Sequence, residues 1–244
     1  MGSHMTSERK RYVWFYDHIH SRYYNLLTRW CFLPFGGEAK VRRTMLEVVT
    51  VQPGDRVLDM CCGTGNTTFA IAERAGKRST IKAIDLSAGQ INVAKRRNRF
   101  SNIDFMVMDA SRTSFGDGDF DKVVIPHALH EMPRATRLAV LGEAKRVLTD
   151  GGTLAVLEMD NPPTLSLRLF IGFAWFYWLP FNFETPTRKD MLKRGVTNEV
   201  HEAGFDNVSK ASFYNGVFQV VQGRKPEHDR TGMEQGLSTR CNIS

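Results

Sequence analysis

The chain has 244 residues, of which 42% are hydrophobic and 24% charged, and its formal net charge is +7. These values are ordinary for a globular protein with a sizeable core, and the length suits one α/β domain or at most two small ones. The four cysteines show no metal-binding spacing, and the adjacent pair Cys61 and Cys62 favours a reducing compartment over a disulfide framework. The positive charge favours an anionic partner such as nucleic acid, acidic lipid or an acidic substrate, although solvated surface faces are the simpler explanation.

Both ends of the chain are predicted to lie outside the folded domain. The opening GSHM resembles the scar of a cleaved tag, so residues 1–5 are expected to be a tag remnant. Residues 225–244 lack apolar periodicity and are predicted to form a flexible tail. No secretory signal is visible, and a cytoplasmic location is expected.

The predicted secondary structure alternates between strands and helices. Aromatic residues between positions 12 and 35 predict that residues 6–50 form an N-terminal helical cap. The apolar runs that predict strands are 56–60, 80–85, 103–109, 120–125 and 153–159. One helix is predicted over 87–98, where Ser87 and Gln90 have capping-box spacing, and another over 136–148. The residues of the second helix that are predicted to share one face are Leu138, Leu141, Val147 and Leu148.

The end of the domain departs from this alternation. The strand-like segments NVSKASF and GVFQVVQG flank Asn215–Gly216, a strong signal for a tight hairpin. The predicted fold class is therefore α/β, a doubly wound, mostly parallel sheet that finishes with an antiparallel pair of strands. It is expected to occupy residues 51–224, with an aromatic insertion over 162–187 that forms a lid.

Three acidic residues follow the predicted strands toward one edge of the sheet. The stretch VLDMCCGTGNTT contains Asp59 near the end of the first strand and then a loop with Gly63 and Gly65. Asp85 and Asp109 end the second and third predicted strands, so the three carboxylates should line one crevice. Asp59 would repel a pyrophosphate, whereas Asp85 can accept hydrogen bonds from ribose hydroxyls and Asp109 from an exocyclic amine. This crevice suits a cationic nucleoside better than a polyphosphate.

The successive motifs resemble those of a known enzyme family. The segments VLDMCCGTGNTT, AIDLSAGQINVAKRR, DFMVMDASRTSFGDGDFDKVVIPHALHEM and AKRVLTDGGTLAVLE are similar to the motifs of class I S-adenosylmethionine-dependent methyltransferases. The resemblance is strongest to the small-molecule branch that includes the ubiquinone/menaquinone-biosynthesis C-methyltransferases, and it spans about residues 12 to 223. It implies a Rossmann-like methyltransferase fold, with a sheet of seven strands whose last strand is antiparallel, and S-adenosylmethionine as the cofactor.

The resemblance also assigns residues to the cofactor by their position in these motifs. Asp59, Cys61, Gly63 and Gly65 would lie at its amino-acid end, and Asp85 would bind the ribose hydroxyls. The remaining positions are Leu86 and Ala110 against the adenine, Asp109 toward its amine, and Tyr24 over the cofactor from the N-terminal segment.

The loop PHALHEM, 126–132, is expected to lie beside the transferred methyl group. His127 and His130 are the candidate catalytic residues, as a base or as groups that orient the substrate. The alternative for each is a core histidine whose ring is satisfied by neighbours. The quinone-type relatives have a different sequence here, so their substrate chemistry does not carry over. A metal site of His127, His130 and Glu131 would lack further ligands, and no metal is predicted.

A lipophilic acceptor is predicted from the aromatic segment LSLRLFIGFAWFYWLPFNF, 165–183. It is too short and interrupted for a transmembrane helix, so it is either a core helix or a lid over a hydrophobic acceptor that contacts a membrane interface. Basic residues that could meet anionic head groups follow it: Arg188, Lys189, Lys193 and Arg194. The residues predicted to line the acceptor pocket are Tyr16, His20, Glu158, Phe173, Phe176 and Tyr177.

The leading hypothesis is methyl transfer to a quinone-like or isoprenoid-phenolic small molecule by direct in-line displacement. One alternative is N-methylation of a lipid amine, and another is a cofactor-binding partner or regulatory subunit without activity. A nucleic-acid methyltransferase is disfavoured because the tetrapeptide typical of amino-group methylation is missing after the fourth strand, where the chain reads PHAL.

Overall fold

A computed structural model of the chain describes residues 32–169 and 185–227. Within these ranges, seven strands form one sheet. Their bounds are β1 Arg56–Met60, β2 Thr80–Asp85, β3 Ile103–Val107, β4 Phe120–Pro126, β5 Leu148–Met159, β6 Asp206–Phe213 and β7 Phe218–Arg224. The strand order across the sheet is β3-β2-β1-β4-β5-β7-β6. The first five strands are parallel, and β7 runs antiparallel to both β5 and β6, so the predicted fold class is confirmed.

Helices connect the strands. Their bounds in the described residues are α1 Glu38–Leu46, α2 Asn66–Ala75, α3 Ala88–Arg97, α4 Arg134–Val147, α5 Thr185–Arg194 and α6 Val196–Glu202. Short 3-10 turns span Leu33–Phe35 and Leu129–Glu131. The predicted cap of α3 is confirmed, because the Ser87 side chain accepts a hydrogen bond from the backbone N–H of Gln90.

The sheet is covered on both faces because successive strand residues point to opposite sides. In β4, Val124 packs in the cluster that contains α1 and α2, whereas Val123 and Ile125 pack in the cluster that contains α4, α5 and α6. All three side chains are fully buried. Such two-sided burial explains why the central strands are continuous apolar runs rather than alternating ones.

Several predicted element limits differ from the structure: β5 begins at Leu148 rather than at 153, β4 ends at Pro126 rather than at 125, and α3 covers Ala88–Arg97 rather than 87–98. The third strand was predicted to reach Asp109, but β3 pairs with β2 only through Val107. Beyond it, the Asp109 carboxylate accepts the backbone N–H of Ser111 and turns the chain away from the sheet. The helix predicted over 136–148 ends at Val147, because Leu148 already pairs with Phe120 in the sheet.

The face predicted for this helix also needs correction. The buried residues of α4 are Arg137, Val140, Leu141, Ala144 and Val147, and Leu138 lies only partly buried beside them. Arg137, which the predicted face did not include, is fully buried in an ion-pair network.

The predicted hairpin is confirmed, with a longer connection than a two-residue turn. Phe213 pairs with Phe218 across the two strands, and the residues between them include Tyr214, Asn215 and Gly216 at φ values of 51°, 54° and 79°. Because β7 is antiparallel to β5, Phe218 lies opposite Met159, at the sheet edge where the parallel strands end.

No helix in the described parts of the chain has the length and apolar character needed to cross a membrane. The predicted tag remnant, most of the predicted N-terminal cap, the middle of the aromatic insertion and most of the predicted tail lie outside the described residues.

Candidate active site

The loop after β1 has a backbone that favours glycine. Cys61, Gly63 and Gly65 have φ values of 66°, 55° and 84°, and Gly65 is the N-cap of α2. A Cβ atom on Gly65 would lie 3.0 Å from the Phe69 ring and 3.1 Å from the Phe105 ring, whereas one on Gly63 would meet nothing within 4 Å. Gly65 is thus required by packing, and Gly63 leaves open space beside the loop.

Asp85 fastens this loop to the end of β2. Its Oδ2 accepts the backbone N–H of Gly63 at 2.8 Å, and its Oδ1 accepts that of Ser87 at 2.9 Å. Asp85 therefore has a structural role in the loop, in addition to the ligand role expected from the sequence.

Asp59 is the buried acid of the site. Its side chain is 0% exposed, and its Oδ2 accepts a 2.6 Å hydrogen bond from the Thr68 hydroxyl. Its Oδ1 is buried and has no hydrogen-bond partner among the described residues. Burial is the main reason that the pKa of Asp59 is raised to about 7; Asp85 acts in the same direction, and the Thr68 hydroxyl and Arg42 act in the opposite one. The site therefore contains a carboxyl group that a nearby cation would ionise.

The electrostatics around Cys61 show that several acids converge on one place. Burial raises the pKa of the Cys61 thiol well above its ordinary value, and four carboxylates add to this effect. They are, in decreasing order of effect, Asp85, Glu131, Asp59 and Asp109. The end of β1 is therefore surrounded by acidic side chains, which favours a cationic ligand and opposes a polyphosphate.

The third acid, Asp109, lies two residues beyond β3. Its Oδ1 accepts the backbone N–H of Ser111 at 3.0 Å and the Ser111 hydroxyl at 2.8 Å. The neighbouring Ala110 is buried, and Leu86, after β2, is partly buried. These residues occupy the adjacent ends of β2 and β3, as expected for contacts to one ring system.

His130 and Glu158 form a buried pair beyond β4 and at the end of β5. His130 Nδ1 lies 2.9 Å from Glu158 Oε1, and the His130 backbone N–H donates to Glu158 Oε2 at 3.3 Å. Burial alone would raise the pKa of Glu158, but the adjacent His130 overrides burial and brings the pKa below its ordinary value. The ionised Glu158 accepts from the Nδ1 side of the His130 ring, and Glu131 Oε1 lies 3.9 Å from Nε2 on the other side of the ring.

His127 has a different environment. It follows β4 at a φ of 50°, and its ring makes edge contacts with Phe32 and Phe218 at centroid distances of 6.0 and 5.8 Å. Its Nε2 atom is buried and has no hydrogen-bond partner among the described residues. Burial and the charge of Arg42 lower the pKa of His127 to about 3, so the ring is neutral at physiological pH.

Sequence reasoning missed Arg42, which it treated as part of a solvated basic cluster. Arg42 is buried, and its guanidinium donates to Glu38 one turn earlier in α1 and to the Thr67 hydroxyl in α2. Its charge lowers the pKa values of both Asp59 and His127. The i, i+4 spacing of Glu38 and Arg42 was the only sequence signal for this arrangement.

Six predicted site residues lie outside the described part of the chain. They are Tyr16, His20, Tyr24, Phe173, Phe176 and Tyr177. The other predicted residues lie in the last residues of β1, β2 and β5 or in the loops after β1, β2, β3 and β4, at the carboxyl edge of the sheet, where ligands bind in open α/β folds. In the described ranges, no group of three or more His, Cys, Asp and Glu side chains is arranged to hold a metal ion.

Comparisons with known proteins agree with this architecture. A demethylmenaquinone methyltransferase of Beutenbergia cavernae is 31% identical over 217 residues, which cover 84% of this chain and 88% of the relative. An uncharacterized methyltransferase of Synechocystis sp. is 30% identical over 206 residues, covering 82% of this chain and 90% of the relative. A demethylmenaquinone methyltransferase of Bacillus subtilis is 29% identical over 209 residues, which cover 79% of this chain and 89% of the relative.

Solved structures support the fold at lower identity. A SAM-dependent methyltransferase from Thermotoga maritima has a TM-score of 0.60 at 20% identity, covering 85% of this chain and 99% of that chain. Another, from Methanosarcina mazei, has a TM-score of 0.54 at 19% identity, covering 73% and 95%. The model of the ubiE/COQ5 methyltransferase family matches residues 4–184, more than half of the chain. The chain therefore belongs to the ubiE/COQ5 methyltransferase family and is an S-adenosylmethionine-dependent methyltransferase.

Proposed function

We propose that this enzyme transfers the methyl group of S-adenosylmethionine to a lipophilic, quinone-like or isoprenoid-phenolic acceptor, with His130 as the base. The observation that carries the proposal is the buried His130–Glu158 pair, which lies at the same sheet edge as the acids around Cys61. The relatives named demethylmenaquinone methyltransferase support a quinone-like acceptor.

The described residues fit the cofactor. Asp59 has a buried carboxylate oxygen without a partner among them, and its raised pKa is what a cationic ligand would relieve. We assign the amino-acid end of the cofactor to Asp59 and to the backbone of Cys61, Gly63 and Gly65. The ribose hydroxyls are assigned to Asp85. The adenine is assigned to the group formed by Leu86, Asp109 and Ala110.

When bound, S-adenosylmethionine supplies an electrophilic methyl group on a positively charged sulfur, which the acceptor displaces in line. His130 Nε2 takes the hydroxyl proton of the acceptor, because Nδ1 already donates to Glu158 at 2.9 Å. The resulting imidazolium is stabilised by the Glu158 carboxylate, which is 0% exposed and bonded to it without competing bulk water. Glu158 is predicted to line the acceptor pocket. Under this proposal, its effect on the reaction is exerted through His130.

His127 is assigned a different role from His130, because a group with a pKa of about 3 is too weak a base to remove a phenolic proton efficiently. It stays neutral between Phe32 and Phe218, where its ring extends an apolar wall. We assign it to orienting the acceptor and excluding water.

The proposal includes peripheral contact with a membrane, from which a lipophilic acceptor would be drawn. At the start of the aromatic segment, Leu165 and Leu169 are 69% and 64% exposed. After it, α5 exposes Lys189 and Lys193. Flotation with anionic vesicles should recover the protein, and Lys189→Glu/Lys193→Glu should reduce the recovery; equal flotation with neutral vesicles would argue against the charge contribution.

The function is tested with methyl-labelled S-adenosylmethionine and three acceptors in detergent micelles: demethylmenaquinone in its reduced form, a polyprenyl phenol and phosphatidylethanolamine. We expect organic-soluble label with the quinol or the phenol. His130→Gln should lower the rate at least about 100-fold without weakening cofactor binding, whereas His201→Gln, on the exposed face of α6, serves as the matched control. Label only in phosphatidylethanolamine would establish the lipid-amine alternative. The absence of transfer to all three acceptors would overturn the proposal.

A further inference from the structure

The 3-10 turn that carries His130 is held from the side of α5. The Thr187 hydroxyl donates a hydrogen bond to the backbone carbonyl of His130 at 2.7 Å, across 57 residues of sequence. Two residues after His130, the carbonyl of Met132 accepts from Arg137 at 2.8 Å. The turn is only three residues long, and short 3-10 segments have weak internal hydrogen bonding. External bonds are therefore needed to fix the position of His130.

Helix α5 is itself anchored in the core. Arg137, which is fully buried, donates to Asp190 at 2.8 Å and to both carboxylate oxygens of Glu199 at 2.7 and 2.6 Å. Thr187 and Asp190 are three residues apart on α5, so they lie on the same side of the helix. The bond from Arg137 to Asp190 holds this side of α5 against α4. Thr187 therefore approaches the His130 carbonyl from a rigid base.

The bonds to His130 come from two different elements. Glu158, in β5, holds the Nδ1 atom and the backbone N–H, so both of these bonds end on one carboxylate. Thr187, in α5, holds the backbone carbonyl. A catalytic base must be held within about 0.5 Å and 10–20° of its productive geometry, so a shift of the turn that carries His130 would reduce the rate.

We infer that Thr187 is a positioning residue for His130, an inference that rests on the proposed base role of His130. It acts through the backbone of the turn. Loss of the hydroxyl should therefore impair the chemical step while leaving the cofactor site unchanged, because the acids assigned to the cofactor follow β1, β2 and β3 on the far side of β4. A helix-packing role alone would instead make Thr187 important only for stability.

The test compares three substitutions in the full chain. Thr187→Val removes the hydroxyl at nearly constant volume, Thr187→Ser keeps it, and Thr153→Val removes a hydroxyl at the opposite edge of the sheet, where it accepts from Lys122. With reduced demethylmenaquinone as the acceptor probe, we expect kcat to fall about tenfold in Thr187→Val and to stay within about twofold in the other two. The dissociation constant of S-adenosylmethionine should be unchanged in all three.

Two further measurements separate the outcomes. In the His130→Gln background, Thr187→Val should cause no additional loss of activity; a full second tenfold loss would show that the hydroxyl does not act through His130. Ring ¹⁵N NMR of His130, which needs no acceptor, should show a changed tautomer population in Thr187→Val and a wild-type one in Thr187→Ser. Unchanged His130 spectra in Thr187→Val would overturn the inference. A changed spectrum with an active His130→Gln enzyme would instead refute the base role and keep the positioning.

Discussion

The buried carboxyl of Asp59 predicts opposite pH dependences for stability and for cofactor binding. Its pKa rises from an ordinary value of 3.8 to about 7 in the folded protein. This difference of about 3 pH units corresponds to about 4 kcal/mol, at 1.36 kcal/mol for each unit. Because the folded state holds the proton more tightly than the unfolded state, the stabilisation is fully present below about pH 4 and is lost as the pH rises through 7.

Asp59→Asn keeps the shape of the neutral acid but cannot ionise. We expect the free energy of unfolding of the wild-type protein to fall by up to about 4 kcal/mol between pH 4 and pH 8 relative to this variant, measured by urea denaturation. Asp104→Asn, which removes a half-exposed carboxylate that pairs with Lys82, is the matched control and should follow the wild-type curve. Parallel wild-type and Asp59→Asn curves would refute the buried, proton-binding state of Asp59.

Cofactor binding should show the reverse trend, because a cation selects the ionised form of Asp59. For a group with a pKa of about 7, the ionised fraction falls about tenfold between pH 8 and pH 6, and the affinity for S-adenosylmethionine should fall by the same factor. Isothermal titration calorimetry measures the affinity for S-adenosylmethionine directly at pH 8 and at pH 6. The neutral Asp59→Asn variant should bind weakly at both pH values. A wild-type affinity that does not change with pH would show that the carboxylate does not face the cationic end of the ligand.

The remaining predictions concern the cofactor loop and the core. Asp85→Ala should weaken cofactor affinity by about 1–3 kcal/mol, because it removes the proposed acceptor of the ribose hydroxyls and the hydrogen bond to the backbone N–H of Gly63. Unchanged binding in calorimetry would contradict the assignment. Arg137→Met should destabilise the protein by about 3–5 kcal/mol in urea denaturation, because it leaves the buried carboxylate of Glu199 without its ion-pair partner. A loss of stability below about 1 kcal/mol would show that the ion pair is not needed. Gly65→Ala should destabilise by more than Gly63→Ala, because both have positive φ but only the first brings a methyl group against aromatic rings; equal losses would mean that the rings can move freely.

The regular part of the fold was predictable because the signals for its strands, caps and turns lie in residues that are close together in the sequence. The bounds of β1 and β2 match the predicted runs, since both strands are buried on two faces and therefore appear in the sequence as unbroken apolar segments. The Ser87 cap and the hairpin at Asn215 are also local signals, set by residues within three or four positions of one another. The three acids could be assigned to one edge because the carboxyl ends of parallel strands meet there.

The supporting contacts of the site were not predictable in this way. Arg137 bonds to Glu199 across 62 residues, and Thr187 bonds to the His130 carbonyl across 57, so no local pattern connects either pair. An arginine on an amphipathic helix is assigned to solvent by periodicity, and only a buried partner from another helix changes that assignment. The positive φ values at Cys61 and His127 are likewise outside local propensity, because neither residue type favours that conformation enough to signal it.

The different roles proposed for His127 and His130 show why residue type and spacing are insufficient to assign a base. The two residues are separated by only Ala128 and Leu129, and the sequence treats them alike. In the structure, His127 lies against Phe32 and Phe218 with the charge of Arg42 nearby, and its pKa falls to about 3. His130 lies 2.9 Å from the buried carboxylate of Glu158, which stabilises a bound proton rather than opposing it. Burial is the largest cause of the low pKa of His127, and the charge of Arg42 adds to it, whereas the proposed base His130 has a carboxylate in hydrogen-bond contact. These neighbours come from elements far away in sequence, so residue type and spacing alone do not distinguish the two histidines.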